Sequence, residues 1–130
     1  MSGGYSVTGV QIKKVSLSSV QILSLFTSPV TLLAAVGAGY LYDLVTIYAR
    51  HNFGTAAYVG NIAVQMNSVN ISRNSAILTT TTTTVFNMVM DSASAPYLST
   101  QPLVIAGVAA DPTTGDGTLD VYIHYNVIVL

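Results

Sequence analysis

The chain ends in an unbroken alternation, TLDVYIHYNVIVL, from Thr118 to Leu130. Val121, Ile123, Tyr125, Val127 and Val129 alternate with Tyr122, His124, Asn126 and Ile128. A period of two places these sets on opposite faces of a β-strand. It also fixes register, because a slip of one residue would turn every inward side chain outward. The loop ahead of this strand, ADPTTGDGTLD, would then serve chiefly to set that register.

Shorter segments of the same type fill most of the chain. They are Val7–Val15, with Val10 and Ile12 as the expected inward positions, then Val30–Ala35, Tyr40–Arg50, Ala57–Met66, Val85–Asp91 and Pro102–Ala109. Glycine, proline and asparagine mark the turns between them, as in Val36–Gly39, His51–Gly54 and Ser92–Pro96. Only SLSSVQILSLF, Ser16 to Phe26, has a three-residue spacing, carried by Val20, Leu23 and Phe26. With Ser18 or Ser19 as cap, it predicts a short helix near residues 18–26. Asn67–Ser75 is polar, Ala76–Thr79 is expected to be extended, and the run Thr79–Thr84 reads as a strand end or edge. No long helical period separates the strands, so βαβ units are excluded and the sheets are expected to be antiparallel. The expected fold is all-β: a single-domain antiparallel β-sandwich, jelly-roll-like, of seven to eight strands over residues 7–130. Residues 1–6 read as a flexible N-terminal arm.

Charged residues make up only 7% of the chain, the net charge is −1, and mean hydropathy is +0.58. Ordinary soluble domains carry about 25% charged residues. A surface with so few charges favours association, either with lipid or with other subunits. The most apolar window, Pro29–Ala49, contains Gly37, Gly39 and Asp43 and alternates in its second half. It is read as two strands around an AVGAG turn rather than a membrane span. The sequence MSGGYSVTG lacks the features of a signal peptide, so synthesis in the cytoplasm without export is expected. The four basic residues Lys13, Lys14, Arg50 and Arg73 are too scattered to track a phosphate backbone, which argues against nucleic-acid binding. There is no cysteine, so disulfides and thiolate chemistry are excluded.

Three groups invite a chemical reading. Asp111, Asp116 and Asp120 share one loop with several threonines and are the weak candidates for a metal site. Their spacing of five and four, with no glutamate in the chain, fits a calcium loop poorly, whereas Asp-Pro and Asp-Gly are turn dipeptides. His51 and His124 are the only histidines, and no GxSxG elbow accompanies them. No catalytic residue, cofactor or enzymatic activity is therefore expected. The third group is aromatic. Tyr40, Tyr42 and Tyr48 fall on one strand and by alternation share a face. With Tyr122 and His124 they are the candidate interface residues.

The stretch SSVQILSLFTSPVTLLAAVGAGY, the tyrosine-rich strand after it and the closing TTGDGTLDVYIHYNVIVL resemble small virion proteins of tailed bacteriophages: capsid decoration, head-fibre or tail-associated proteins. The resemblance covers about Val15 to Leu130 and carries no catalytic residues. It implies a β-sandwich subunit of the virion that forms a homo-oligomer, a trimer being favoured. It also implies attachment to other virion proteins, such as the major capsid protein. The alternative is a receptor- or carbohydrate-binding tip module of a fibre or tail.

Overall fold

The computed structural model describes residues 5–6, 9–88 and 100–130. They form nine strands: β1 (Tyr5–Ser6), β2 (Gln11–Leu17), β3 (Val30–Leu33), β4 (Tyr40–Asn52), β5 (Ile62–Met66), β6 (Val69–Asn70), β7 (Thr84–Asn87), β8 (Leu103–Gly107) and β9 (Thr118–Val129). Two of these, β1 and β6, are only two residues long and left no pattern in the sequence to read.

All pairings are antiparallel, and they are nested. β2 pairs β9, β3 pairs β8, β4 pairs β7, and β5 pairs β6. The chain is thus one long ribbon folded at the β5–β6 hairpin and rolled up. Rolling adds the contacts β9–β4 and β8–β5, giving one sheet ordered β2-β9-β4-β7 and a second ordered β3-β8-β5-β6. This is the strand order of a jelly roll. β1 extends the first sheet by pairing Tyr5 with Val129 and Ser6 with Ile128, so these two residues are strand rather than loose arm.

The core lies between the sheets. Leu119, Val121 and Ile123 of β9 and Ile47 and Ala49 of β4 face Leu103 and Ile105 of β8 and Ile62, Val64 and Met66 of β5. Each large aliphatic side chain buried here contributes about 1.5–3 kcal/mol. Of the set that alternation puts on one face of β9, Val121 and Ile123 are in the core and Tyr125 packs at its edge, while Val127 and Val129 lie beyond it.

Three expectations need correction. In β2 the inward residues are Val15 and Leu17; Ile12 is 65% exposed and Val10 lies ahead of the strand. Local alternation is equally consistent with either parity, and pairing to β9 decides it. The helix α1 is one turn, Ser19–Ile22, capped by Ser18 with Gln21 closing a capping box. Ile22 within it and Leu25 after it are buried, while Val20, Leu23 and Phe26 remain exposed. Finally, Ile77–Thr79 is a 3-10 turn, not extended chain. Within the threonine run only Thr84 is in a strand. Val89–Asp91 and the Ser92–Pro96 loop lie outside the described residues.

A β-bulge at Val45 shapes the first sheet. Leu44 pairs with Tyr125 and Thr46 with His124, so Val45 is an extra residue on β4 with no counterpart on β9. The bulge reverses parity along β4. Before it, Tyr42 and Leu44 point inward; after it, Ile47 and Ala49 do. Among the described residues no helix is long and apolar enough to cross a membrane.

Candidate functional site

The aspartate loop joins β8 to β9. The Asp111 Oδ1 accepts the backbone N–H groups of Phe26 and Thr27, each at 2.8 Å, and the Thr27 hydroxyl donates to Oδ2. Asp116 repeats the arrangement on another segment. Its Oδ1 accepts the N–H groups of Thr55 at 2.8 Å and Ala56 at 3.0 Å, and the Thr55 hydroxyl donates to Oδ2. Asp120 accepts from the Ser16 hydroxyl at 2.7 Å and the Asn52 amide at 3.1 Å. The three carboxylates therefore point at three different parts of the chain. Among the described residues they do not gather with any other acid or histidine into a metal-holding group. The loop ties the α1–β3 junction and the β4–β5 loop to the rim of the sandwich, whereas Asp120 lies inside β9 and bonds across to β2 and β4.

The electrostatics follow from these bonds. The Thr27 hydroxyl, then the Thr27 and Phe26 amides, hold the Asp111 carboxyl below the usual carboxylate range. The Thr55 hydroxyl and the Ala56 and Thr55 amides do the same for Asp116. Burial raises Asp120, but donation from Ser16 and Asn52 and the fields of Lys14 and Arg50 outweigh it. Replacing Asp111 by alanine is expected to speed hydrogen exchange at the Phe26 and Thr27 amides and leave Thr55 and Ala56 protected. Asp116→Ala should give the converse. Exchange measured by NMR that changes equally at both segments would show that the two anchors are not independent.

His51, expected in a loop, lies inside β4 and is fully buried. Its Nδ1 is 2.9 Å from the Thr80 hydroxyl, which itself donates to the Ile77 carbonyl at 2.8 Å. The hydroxyl oxygen can therefore only accept, which places the ring proton on Nδ1. That leaves Nε2 a bare acceptor, buried and without a hydrogen-bond partner among the described residues. The ring packs at 5.9 Å from Tyr58 and 6.2 Å from Phe53. The Tyr58 hydroxyl donates to the Gly117 carbonyl at 2.6 Å. Histidine, tyrosine and aspartate thus converge, but the carboxylate is taken up by Thr55 and Ala56 and the imidazole is sealed from solvent. The cluster is packing, with no open face for a substrate.

The outer face of the first sheet is open and carries several exposed apolar residues. Across it, Tyr48 pairs with Tyr122, Thr46 with His124, and Lys14 of β2 flanks Tyr122 from the other side. Tyr48 meets the His124 ring edge-on at 5.9 Å, and the Lys14 ammonium stands 5.7 Å over the Tyr122 ring. Ile12, Val45 and Val85 surround this cluster, all more than half exposed. The sheet does not gather all five expected interface residues. Because of the bulge, Tyr42 points into the sandwich, where it meets Tyr125 edge-on at 5.6 Å and its hydroxyl donates to the Ala34 carbonyl. Tyr40 is at the far end of β4, opposite Val129. Tyr48, Tyr122 and His124 are the three that come together.

Comparison with known proteins gives no match to a family model, a curated protein or a solved structure.

Residues that pattern reading passed over stand beside those it picked. Lys14, Val45 and Val85 complete the outer face, although charge scatter says nothing of Lys14's place and strict alternation would put Val45 on the face of Ile47. The bulge has no signature in LYDLVTIYA, where every position suits a strand. A cleft of about 320 Å³ also went unread. It is lined by Pro29, Gln65, Asn67, Ser68, Gln101, Pro102 and Val104. Asn67 and Ser68 form the β5–β6 turn with positive φ of 53° and 63°, a conformation asparagine tolerates better than most residues.

Proposed function

We propose that the protein is a non-enzymatic structural component of a bacteriophage particle, a capsid decoration protein or another minor virion protein. It acts by homo-oligomerisation and by attachment to other virion proteins, the major capsid protein among them. The observation that carries this reading is the outer sheet face, where tyrosines, a histidine and exposed aliphatic residues lie together on a chain almost without charge. A face of that kind is suited to being covered by protein. Jelly rolls also recur in viral capsid domains, although lectins and cupins share the fold, so that support is by analogy.

The edges argue for face contacts over edge pairing. Lys13 and Lys14 sit on β2, the edge strand of the first sheet, and exposed lysines discourage another strand from adding there. Light scattering on the purified protein tests the reading. A closed oligomer is the expected result, a trimer being the stoichiometry favoured from sequence. A monodisperse monomer at about 100 μM, well above the Kd of a stable assembly, would overturn it.

The cleft at the β5–β6 turn favours a second reading, a carbohydrate-contacting tip. Its amides and hydroxyl come from uncharged residues, with proline and valine beside them, a lining that suits a neutral polyhydroxyl ligand. Glycan-array binding lost in Gln101→Ala would support it; an array with no signal would remove it.

A further inference from the structure

The outer face of the first sheet has a charge pattern that complements itself. Arg50 lies at one end, with Asp120 beside it already bound to Ser16 and Asn52, while Lys14 stands over Tyr122 in the middle of the face. Asp43 lies at the other end, opposite Asn126, exposed and without a hydrogen bond or ion pair among the described residues. On β9 these ends are marked by Asp120, opposite Arg50, and Asn126, opposite Asp43. At 3.4 Å per residue they are about 20 Å apart. Halfway between them is the Tyr48, Tyr122 and His124 cluster.

We propose that this face packs against the same face of a second copy across a two-fold axis through that cluster. With its axis in the interface and across the strands, the two-fold reverses strand direction and sets each Asp43 against the partner copy's Arg50. The aromatic residues then meet at the centre, where binding energy in interfaces concentrates. The size also fits. Twelve register pairs of β4 and β9 give a length of about 40 Å, and the four strands a width of about 15–20 Å. Because β2 and β7 span only seven and four residues, each copy would bury about 600 Å², which puts the pair at the low end of a standard stable interface. Face-to-face sheet packing at about −30° is an ordinary way for two twisted sheets to meet.

The inference rests on the self-association reading and gives that association its surface and symmetry. It predicts a dimer, or an even-numbered assembly if trimeric rings form as well. Analytical ultracentrifugation tests it with exposed substitutions that leave the core alone. Asp43→Lys should weaken association about tenfold or more, as should Arg50→Glu, because each sets like charges against each other. The double variant Asp43→Lys/Arg50→Glu should recover most of the loss. Circular dichroism on each variant establishes that the fold persists. An assembly that forms with an odd copy number, or one indifferent to all three variants, overturns the two-fold face and leaves the structural role standing. A wild-type protein that stays monomeric overturns both. A monomer that co-sediments with phosphatidylcholine vesicles would instead assign the face to a lipid surface.

Discussion

Gly115→Ala is expected to lower the melting temperature by about 10–15 °C, the equivalent of about 3 kcal/mol for a chain of this size. Gly115 lies against the ring of Tyr58, and a β-carbon there would fall within that ring. The ring cannot move aside. Tyr58 is only 1% exposed, His51 packs beside it at 5.9 Å, and its hydroxyl is fixed to the Gly117 carbonyl at 2.6 Å. Moving the loop instead would disturb Asp116, next in sequence, and with it the anchors at Thr55 and Ala56. The glycine is therefore required by space. Gly9→Ala is the control: a β-carbon there meets nothing within 4 Å, and the melting temperature should change little.

The clash itself can be isolated. With Tyr58→Leu as background, the flat ring is gone and Gly115→Ala should cost far less than it does in the wild type. A double-mutant cycle measured by thermal denaturation gives that difference directly. Gly115→Ala melting within about 3 °C of wild type, a shift worth less than about 1 kcal/mol, would mean the ring does not sit on this glycine.

The strands were legible in the sequence because a half-buried sheet needs period two, and the chain keeps that period over its long strands. β9 was read with its inward set intact, from Val121 to Tyr125. What escaped was every choice that alternation leaves open. Whether odd or even residues of β2 face inward depends on pairing with β9, more than a hundred residues away. The two halves of β4 each alternate correctly, but the bulge between them inverts the relation of Tyr42 to Tyr48. In α1 a single turn gives too few residues to define a face, and Ile22 with Leu25 displaced the expected Val20, Leu23 and Phe26.

The acidic loop shows the same division between local and distant information. Its dipeptides marked a break between strands, since Asp111-Pro112 and Asp116-Gly117 both lie outside strands, though neither forms a regular turn. That Asp111 and Asp116 grip two other loops in the same manner could not be read, because the donors are 84 and 85, and 60 and 61, residues away. Carboxylates used as anchors leave few charges for the surface. Of the acids in the described residues only Asp43 stands on the outer face without such a bond.

Stability is also expected to fall as the pH drops below about 6.5, and the His51→Gln variant should not share that fall. Burial lowers the pKa of His51, and the Ile77 carbonyl, which favours the charged ring, only partly offsets it. The ring is surrounded by Thr80, Phe53, Tyr58 and Gly117, and its bare Nε2 offers no acceptor for an added proton. Asp116, in the loop beside Tyr58, is held by Thr55 and Ala56. In the unfolded chain the histidine takes up its proton near the ordinary value of about 6.5, while the folded chain does so only at lower pH. Between those two values the unfolded state binds more protons, so stability decreases as pH falls, by at most about 1.4 kcal/mol per unit. Above about 6.5 both states are neutral at this site and the contribution is constant. A second loss should begin near pH 4, where the depressed carboxyls of Asp111, Asp116 and Asp120 start to be protonated in the unfolded chain first. Urea midpoints measured from about pH 3 to 7.5 separate the two. His51→Gln should cost about 1–3 kcal/mol at pH 7.5 through the lost ring, yet flatten the upper step. His124→Gln, on the outer face, should leave that step in place. A wild-type profile that is flat between pH 5 and 7 would mean that water reaches Nε2 and that this end of the sandwich opens.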